Sequence, residues 1–394
     1  MVANNLIRTT LKKFISRNGL SMESVITVNY MPVTSFSEES KHIDCPAWVG
    51  AVSTELNVAV MGCFDGQLRT ANWENLTPLS SVQAHSHPIR SIAAWQHANA
   101  LGIVATASKD QSVRCWQLLS DGTFECLCKL ESSLSSVECV AYWGEKNTVL
   151  SGDWAGNIFA YDVSSLSDKI SQGTADETGL AKKKKRKLAT SASQNTTGLS
   201  DAQTASSSGV TLPHMLTIHA HSQAVSCMQL GAEACRLYTG SWDHSMKEWD
   251  LDRQECVATF AGAKVVTALA FSATTHLIAS SHPDGRIKLW DSRNRDSSVC
   301  VNTFTNGEDK RWVSDVKWHP TNSHIFGTTD YDGTVRAWDT RAALPLSTAS
   351  AHDGKALCLS WYGEEATSQV HAVSGGSDCC LRMTPLLQAE VNAK

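Results

Sequence analysis

The chain has 394 residues, 42% of them hydrophobic, with thirteen tryptophans, which is enough apolar material for one large core or two smaller ones. A formal net charge of -5 spread over intermixed acids and bases excludes a nucleic-acid coat or a membrane-surface protein as a global character, so any basic partner site must be local. The thirteen cysteines are odd in number, scattered and without a CxxC pair, which argues against a disulfide framework and a structural zinc and fits a reducing compartment.

The chain starts MVANNLIRTTLKKF, without the apolar run of a secretory signal, and no stretch approaches the roughly 20 apolar residues needed to cross a bilayer. A soluble intracellular protein is expected. Leu6, Leu11 and Phe14 to Ile15 recur at helical spacing, Gly19 offers a left-handed stop, and VITVNY, ending at Tyr30, alternates as a strand does. Residues 1–32 are too few to fold alone.

Beyond them one phrase recurs, in which small residues lead to Asp, a turn, alternating residues and Trp. Clear copies are TASKDQSVRCW, TGSWDHSMKEWD, ASSHPDGRIKLWD and GTTDYDGTVRAWD, in which Asp110, Asp243, Asp284 and Asp332 stand six positions before Trp116, Trp249, Trp290 and Trp338. Weaker copies run from Met61 to Trp73, Ser151 to Asp162 and Ser374 to Leu386, giving seven units. Their spacing of about 41 to 48 residues, except for one interval doubled by an insertion, is that of a four-stranded propeller blade. Runs such as IKLW and VRAW alternate as strands, Asp-Gly makes the turn, and each unit begins with a similar strand such as VECVAYW or VSDVKW. The fold expected is therefore all-β, a seven-bladed β-propeller over residues 40–390, because a ring of sheets buries faces that no single blade can bury. Only about ten residues follow the strand around Cys380 to Thr384, so part of Val25 to Cys45 is expected to supply the strand that closes the ring. Cys126, Cys128, Cys379 and Cys380 read as small buried residues of strands.

Within blade 2, His85, Ser108, Asp110 and Trp116 are placed for an imidazole to bridge the turn carboxylate and the hydroxyl, with the indole N–H completing the network. His221, Ser241, Asp243 and Trp249 repeat the set in blade 4. A His, Ser and Asp set invites a hydrolase reading, but its duplication beside a repeat Trp points to structure, and no catalytic residue is assigned. Elsewhere Asp309 or Gly262 replaces the His and Ala155 the turn Asp, so those blades are expected to rely more on packing. There is no phosphate-binding Gly loop, nucleophile elbow or metal-ligand cluster, so neither an enzyme, a cofactor nor an intrinsic metal is expected.

Between blades 3 and 4, residues 164–211 are rich in Ser, Thr, Gly, Ala and Lys and nearly devoid of aromatics, which predicts a disordered insertion. Inside it Lys182, Lys183, Lys184, Lys185, Arg186 and Lys187 form a run with the form of a nuclear-import signal, and the same run could contact RNA phosphates. A nuclear protein is expected.

LIRTTLKKFISRNGLSMESVITVNY, the seven WD units, the basic insertion, YTGSWDHSMKEWD, WVSDVKWHPTN and DGTVRAWDTR together resemble the WD-repeat ribosome-biogenesis factor that forms a complex with pescadillo and the block-of-proliferation protein. The resemblance covers nearly the whole chain. It implies that residues 1–32 are the C-terminal part of a ubiquitin-like domain whose first strands and main helix have no counterpart here. It also implies a non-enzymatic scaffold on the pre-60S particle, in nucleolus and nucleoplasm, that binds both partners and engages the midasin ATPase. Glu23 matches the acidic residue that the family offers to midasin's metal site, where a hard cation prefers oxygen. Two alternatives stay open: a substrate receptor of a cullin ubiquitin ligase, suggested by WDxR at Arg293 and Arg341, and a nuclear peptide-reading propeller.

Overall fold

A computed structural model describes residues 41–386 apart from short breaks at 57, 74–76, 98–99, 132, 232–234, 262–263, 295–299, 307–310 and 365–368 and a longer one at 167–209. Residues 1–40 and 387–394 lie outside the described part, and with them Glu23 and the proposed ubiquitin-like remnant.

Among the described residues the strands pair into seven sheets, antiparallel except for one edge strand. Blade 1 comprises Val49–Ser53, Val58–Cys63, Gln67–Asn72 and Pro78–Gln83, and the same order from inner to outer strand recurs around the ring. The innermost strands of blades 2 to 7 are Ile89–His97, Val137–Trp143, Val225–Leu230, Ala268–Phe271, Val313–Trp318 and Ala356–Glu364. Each lies beside the next, and the last lies beside the first, so the ring is closed. The seventh sheet is completed by Lys41–Asp44, antiparallel to Cys380–Thr384 with Ile43 opposite Leu381. The expected closing strand thus falls within the expected stretch.

The apolar core is divided. Seven clusters of buried side chains occupy the seven seams, for example Val60, Leu68, Ile89 and Trp116 between blades 1 and 2, and Val313, Phe326 and Trp338 with Ile287 between blades 5 and 6. The repeat tryptophans are therefore seam residues: Trp116 and Trp338 are fully buried, and each fills the space between two sheets. Such partition is what an alternating strand demands, since one face of every sheet would otherwise meet water.

The inner strands carry a second device. Six of them slip register by one residue near their start, as between Val137 and Cys139 or Val313 and Asp315. A bulge leaves the first carbonyl outside its own ladder, and a buried carbonyl needs another donor. The preceding blade supplies it: Thr267 Oγ1 donates to Val313 O at 2.6 Å and Ser314 Oγ to Ala356 O at 2.7 Å, and ahead of the unslipped inner strand of blade 5 Ser226 Oγ likewise donates to Val266 O at 2.6 Å. At two further seams a thiol stands in, Cys139 toward Val225 O at 3.4 Å and Cys358 toward Val49 O at 3.8 Å. Burial raises both the Cys139 and the Cys358 thiol well above the ordinary value, so these sulfurs stay protonated. Cys128 and Cys380 are buried strand residues as expected, whereas Cys126 is half-buried and Cys379 is a half-buried turn residue with φ 62°.

The insertion requires a correction. It lies inside blade 3, between the third strand Asn157–Asp162 and the fourth, Leu216–His219, not between blades 3 and 4. The repeat phrase ends with the third strand, so the outer strand left no mark in it. Its last positions, Val210 and Thr211, are also not loop: Val210–Leu212 runs parallel to Cys128–Leu130 as a fifth strand on the edge of blade 2. The basic run Lys182–Lys187 lies outside the described residues.

Candidate functional site

Each His–Asp pair is a joint between two blades. In blade 1 the turn after the second strand places Gly66 at φ 78°, a left-handed conformation that favours glycine. The chain leaving that blade crosses over this turn, with the N–H groups of Ala84 and His85 both donating to Gly66 O at 3.1 and 2.9 Å. A Cβ on Gly66 would lie 2.2 Å from His85 O. Pinned there, His85 reaches forward into blade 2, where Nδ1 lies 2.9 Å from Asp110 and Nε2 lies 2.7 Å from Thr106 Oγ1. Trp116 Nε1 donates to the same Thr106 oxygen at 3.0 Å. The relay is indole N–H to Thr oxygen, Thr O–H to imidazole, and imidazole N–H to carboxylate.

The hydroxyl in the relay is Thr106, and not Ser108 as the sequence suggested. Ser108 Oγ instead donates to His87 O at 3.1 Å and accepts from the N–H of Asp110. Blade 4 repeats this with Thr239 between His221 and Trp249 at 2.9 Å each, Ser241 being the turn residue. A Ser or Thr ten positions before the repeat Trp is the signal that was available: Ser280 with Trp290 and Thr328 with Trp338 obey it too, at 2.9 Å each.

Two further joints lay hidden in the sequence. His352 bonds Asp378 at 2.9 Å and Ser374 at 2.8 Å, so blade 7 has the relay with Thr384 where the Trp would be. Blade 6 uses an amide in place of imidazole: the N–H of Asn306 donates to Gly285 O, as His85 does to Gly66, and its side chain donates to Asp330, which also receives Arg336. The blades expected to rely on packing thus have polar joints of their own. In blade 3, Asp153 accepts from Ser133 Oγ and the Asn157 N–H, and in blade 5 His282 folds back onto Ser280 at 3.0 Å. Asp309 and Gly262 lie outside the described residues. Asp284 and Asp332 face Lys264 and Arg311 at 3.7 and 3.9 Å.

The electrostatics agree with a structural role. Burial lowers the affinity of His85, His221 and His352 for a proton by more than their aspartates raise it, so all three stay neutral at pH 7. Burial works against ionising Asp243, yet hydrogen bonds from Ser245, His221 and the Ser222 N–H hold its carboxyl down at about 2. Thr106 and His85 have no access to solvent and their hydrogen bonds are committed, so neither can attack a substrate. Among the described residues no group of His, Cys, Asp and Glu could hold a metal ion.

What faces outward is the mouth of the central channel. Because strands alternate in direction, the turns bearing Asp and the loops entering each inner strand share one face of the ring. Tilted and stacked aromatic rings crowd it: Trp48 on Phe64 at 5.4 Å, Trp154 on Trp242 at 5.3 Å, Trp242 on Trp312 at 6.2 Å and Trp312 on Tyr331 at 5.5 Å. Arg90, paired to Glu138 at 2.9 Å, lies over the Phe64 ring, and Lys355 lies 4.6 Å over that of Tyr331. None of these aromatics was singled out from the sequence, since each sits just before a turn Asp or an inner strand, where the repeat phrase carries no constraint.

Arg293 and Arg341, the two WDxR arginines, each fork onto their own aspartate, Asp291 at 2.9 and 2.8 Å and Asp339 at 2.9 and 2.6 Å.

Comparison with known proteins follows the same lines. The family model "WD domain, G-beta repeat" matches residues 76–117, 213–250, 254–291 and 298–339. Three proteins described as "Ribosome biogenesis protein WDR12 homolog" are similar along most of their length. That of Chlamydomonas reinhardtii is 29% identical over 97% of this chain and 86% of its own, that of Arabidopsis thaliana 28% over 98% and 84%, and that of Nematostella vectensis 26% over 96% and 85%. The chain carries WD40 repeats built into a seven-bladed propeller and is homologous to the WDR12 ribosome biogenesis proteins.

Proposed function

We propose that this chain is a non-enzymatic scaffold for large (60S) ribosomal subunit biogenesis and rRNA maturation. In this reading it acts in nucleolus and nucleoplasm, holds the block-of-proliferation protein and pescadillo on the pre-60S particle, and engages the midasin ATPase through Glu23, with Lys182–Lys187 directing import and offering an RNA contact. One observation carries it: similarity to a protein described as a ribosome biogenesis protein WDR12 homolog extends over 97% of the chain. The commitment of the buried His, Ser, Thr and Asp groups to blade joints supports a part that is held by others and does no chemistry. The fork of Arg293 and Arg341 onto their own aspartates supports surface charge over ligase-adaptor contact.

The test is depletion of the protein followed by sucrose-gradient separation of ribosomal subunits and probing of precursor rRNA. A fall in free 60S subunits with accumulated large-subunit precursor RNA, reversed by the wild-type chain, is expected. An unchanged 60S to 40S ratio rejects the proposal. Affinity purification separates the alternatives: recovery of a cullin adaptor, lost with Arg293→Ala and Arg341→Ala, would favour the ligase reading.

A further inference from the structure

We propose that the outer edge of blade 4 is a docking site at which an extended, uncharged segment of a partner protein adds a fifth strand to the sheet. This deepens the scaffold reading by naming one kind of contact, and rests on it.

Most outer edges of the ring are short or covered. Among the described residues the outer strand has four residues in blades 3, 5, 6 and 7. It has six in blade 1, where it opens with Pro78 and Ser80 Oγ donates to Gly122 O of blade 2 at 2.6 Å. Two outer strands are longer: Phe124–Glu131 in blade 2, with eight residues, and Glu255–Ala261 in blade 4, with seven. A long bare edge presents a row of backbone donors and acceptors, which proteins ordinarily guard with Pro, Lys or a covering segment. Glu255–Ala261, ECVATFA, contains no Pro, Lys or Arg, and its one charge is at its start.

The two long edges are equivalent residue by residue. Each lies on the third strand of its blade in the same register, Cys128 opposite Cys115 as Ala258 is opposite Glu248, and Cys126 opposite Trp116 as Cys256 is opposite Trp249. Both bulge at the residue between, Leu127 and Val257. On blade 2 the chain supplies its own cover: Val210–Leu212 pairs with Cys128–Leu130, and Leu212 packs on the apolar seam between blades 2 and 3. On blade 4 no strand among the described residues occupies the matching place beside Ala258, Thr259 and Phe260. Exposure follows the difference. Val257 is 38% exposed against 7% for Leu127, and Cys256, Ala258 and Thr259 are each more exposed than Cys126, Cys128 and Lys129. The Cys256 thiol, a weak donor, turns back onto Ala258 O at 3.4 Å.

The strand on blade 2 shows what such an edge takes. Val-Thr-Leu is uncharged, β-branched at two positions and apolar at the one over the seam. On blade 4 the residue opposite Phe260 would lie where Leu212 lies, against the seam cluster of Phe260, Trp290 and half-buried Cys300, so an apolar side chain is required there. Main-chain bonds hold a segment of this kind, and its alternate side chains select it.

The experiment is display selection of random twelve-residue peptides on the full, reduced chain, followed by fluorescence anisotropy and amide hydrogen exchange with the recovered peptides. The edge variant is Val257→Lys/Thr259→Glu, whose glutamate stands opposite Lys247, and Val257→Lys alone replaces it should the pair misfold. Leu344→Ala in blade 6 is the control, and all variants are first checked by circular dichroism and melting. Recovered peptides are expected to be poor in charge and rich in Val, Ile, Thr and Leu. They should slow exchange of the 255–261 amides about tenfold or more, bind the edge variant about tenfold more weakly, and bind Leu344→Ala unchanged. Recovery of no peptide, protection that falls elsewhere, or equal binding to the edge variant overturns the proposal. A chain that sediments as a dimer, and as a monomer once the edge is changed, overturns it in favour of a second copy. Subunit ratios are read in a separate assay, so a failed selection removes this contact and leaves the assembly role standing, whereas an unchanged ratio removes the role and leaves the edge.

Discussion

Two kinds of seam hold this ring, and the residue after the turn Asp, or its counterpart, tells them apart. Blades 1, 3, 5 and 6 carry Gly66, Gly156, Gly285 and Gly333 there, at φ between 75° and 92°. Blades 2, 4 and 7 carry Gln111, His244 and Cys379 in a similar left-handed conformation. The departing chain bonds to the carbonyl of each glycine, so closely over Gly66, Gly156 and Gly333 that a Cβ has no room, and the residue that crosses, His85, His221, Asn306 or His352, becomes the polar link into the next blade. Of the non-glycine turns Cys379 is crossed as well, its carbonyl accepting from the Cys45 N–H at 2.7 Å, but Cys45 brings no imidazole or amide, and the links at these seams are of other kinds, such as Ser133 to Asp153. The lesson is that the glycine serves the seam after its blade more than the turn in which it stands.

The largest effect should come from closing that gap. Gly156→Ala would set a Cβ 2.1 Å from His221 O and adopt φ 92°, so the crossing must open; a loss of about 3–5 kcal/mol is expected. Gln111→Gly, at the contrasting turn, should change stability by less than about 1 kcal/mol, since relief of strain and greater freedom of the unfolded chain oppose each other. Urea titrations of the two variants decide; equal losses would erase the distinction between the seams.

A smaller effect separates joints with and without a carboxylate. His221→Ala leaves Asp243 and Thr239 without their shared partner and should cost about 2 kcal/mol. His282→Ala, whose imidazole meets Ser280 and the Val265 carbonyl but, among the described residues, no carboxylate within hydrogen-bond reach, should cost about 1 kcal/mol. Thermal melts of the pair test the ordering, and a costlier His282→Ala contradicts it.

The smallest effect is in pH. The folded state holds His85, His221 and His352 below the ordinary 6.5, so on acidification the unfolded chain takes up protons first. Their contribution is complete above about pH 6.5 and lost as pH falls, with a slope of at most about 1.4 kcal/mol per pH unit for each histidine. Asp110, Asp243 and Asp378, held below their ordinary 3.8, add a second loss in stronger acid. His221→Ala should flatten the first slope by one histidine's share, while Asn306→Ala should leave it unchanged because an amide does not titrate there. Stability curves between pH 7.5 and 5 measure both.

The ring itself was legible because Asp and Trp six positions apart mark a turn and a strand that every blade shares. The closing strand followed from arithmetic on the chain after Thr384. The choice between Thr106 and Ser108 was not legible from spacing to Asp, since residues two apart on a strand point the same way; only the distance to the Trp separates them. His352 escaped because blade 7 has Thr384 at the Trp position, and Asn306 because an amide was not sought where imidazole was expected. The aromatic arc escaped for another reason: its members are far apart in sequence and meet only when the blades form a circle.

The strand Lys41–Asp44 has a consequence in time. Its partner around Cys380 is made about 340 residues later, which at roughly 5–20 residues per second is a delay of tens of seconds. During that interval Ile43 and the first blade present bare apolar flanks with nothing to cover them, the condition in which nascent chains associate wrongly or recruit chaperones. Synthesis thus leaves the earliest part of the molecule waiting on the last, and a slow decoding stretch before Cys380 would lengthen its exposure more than one anywhere after it.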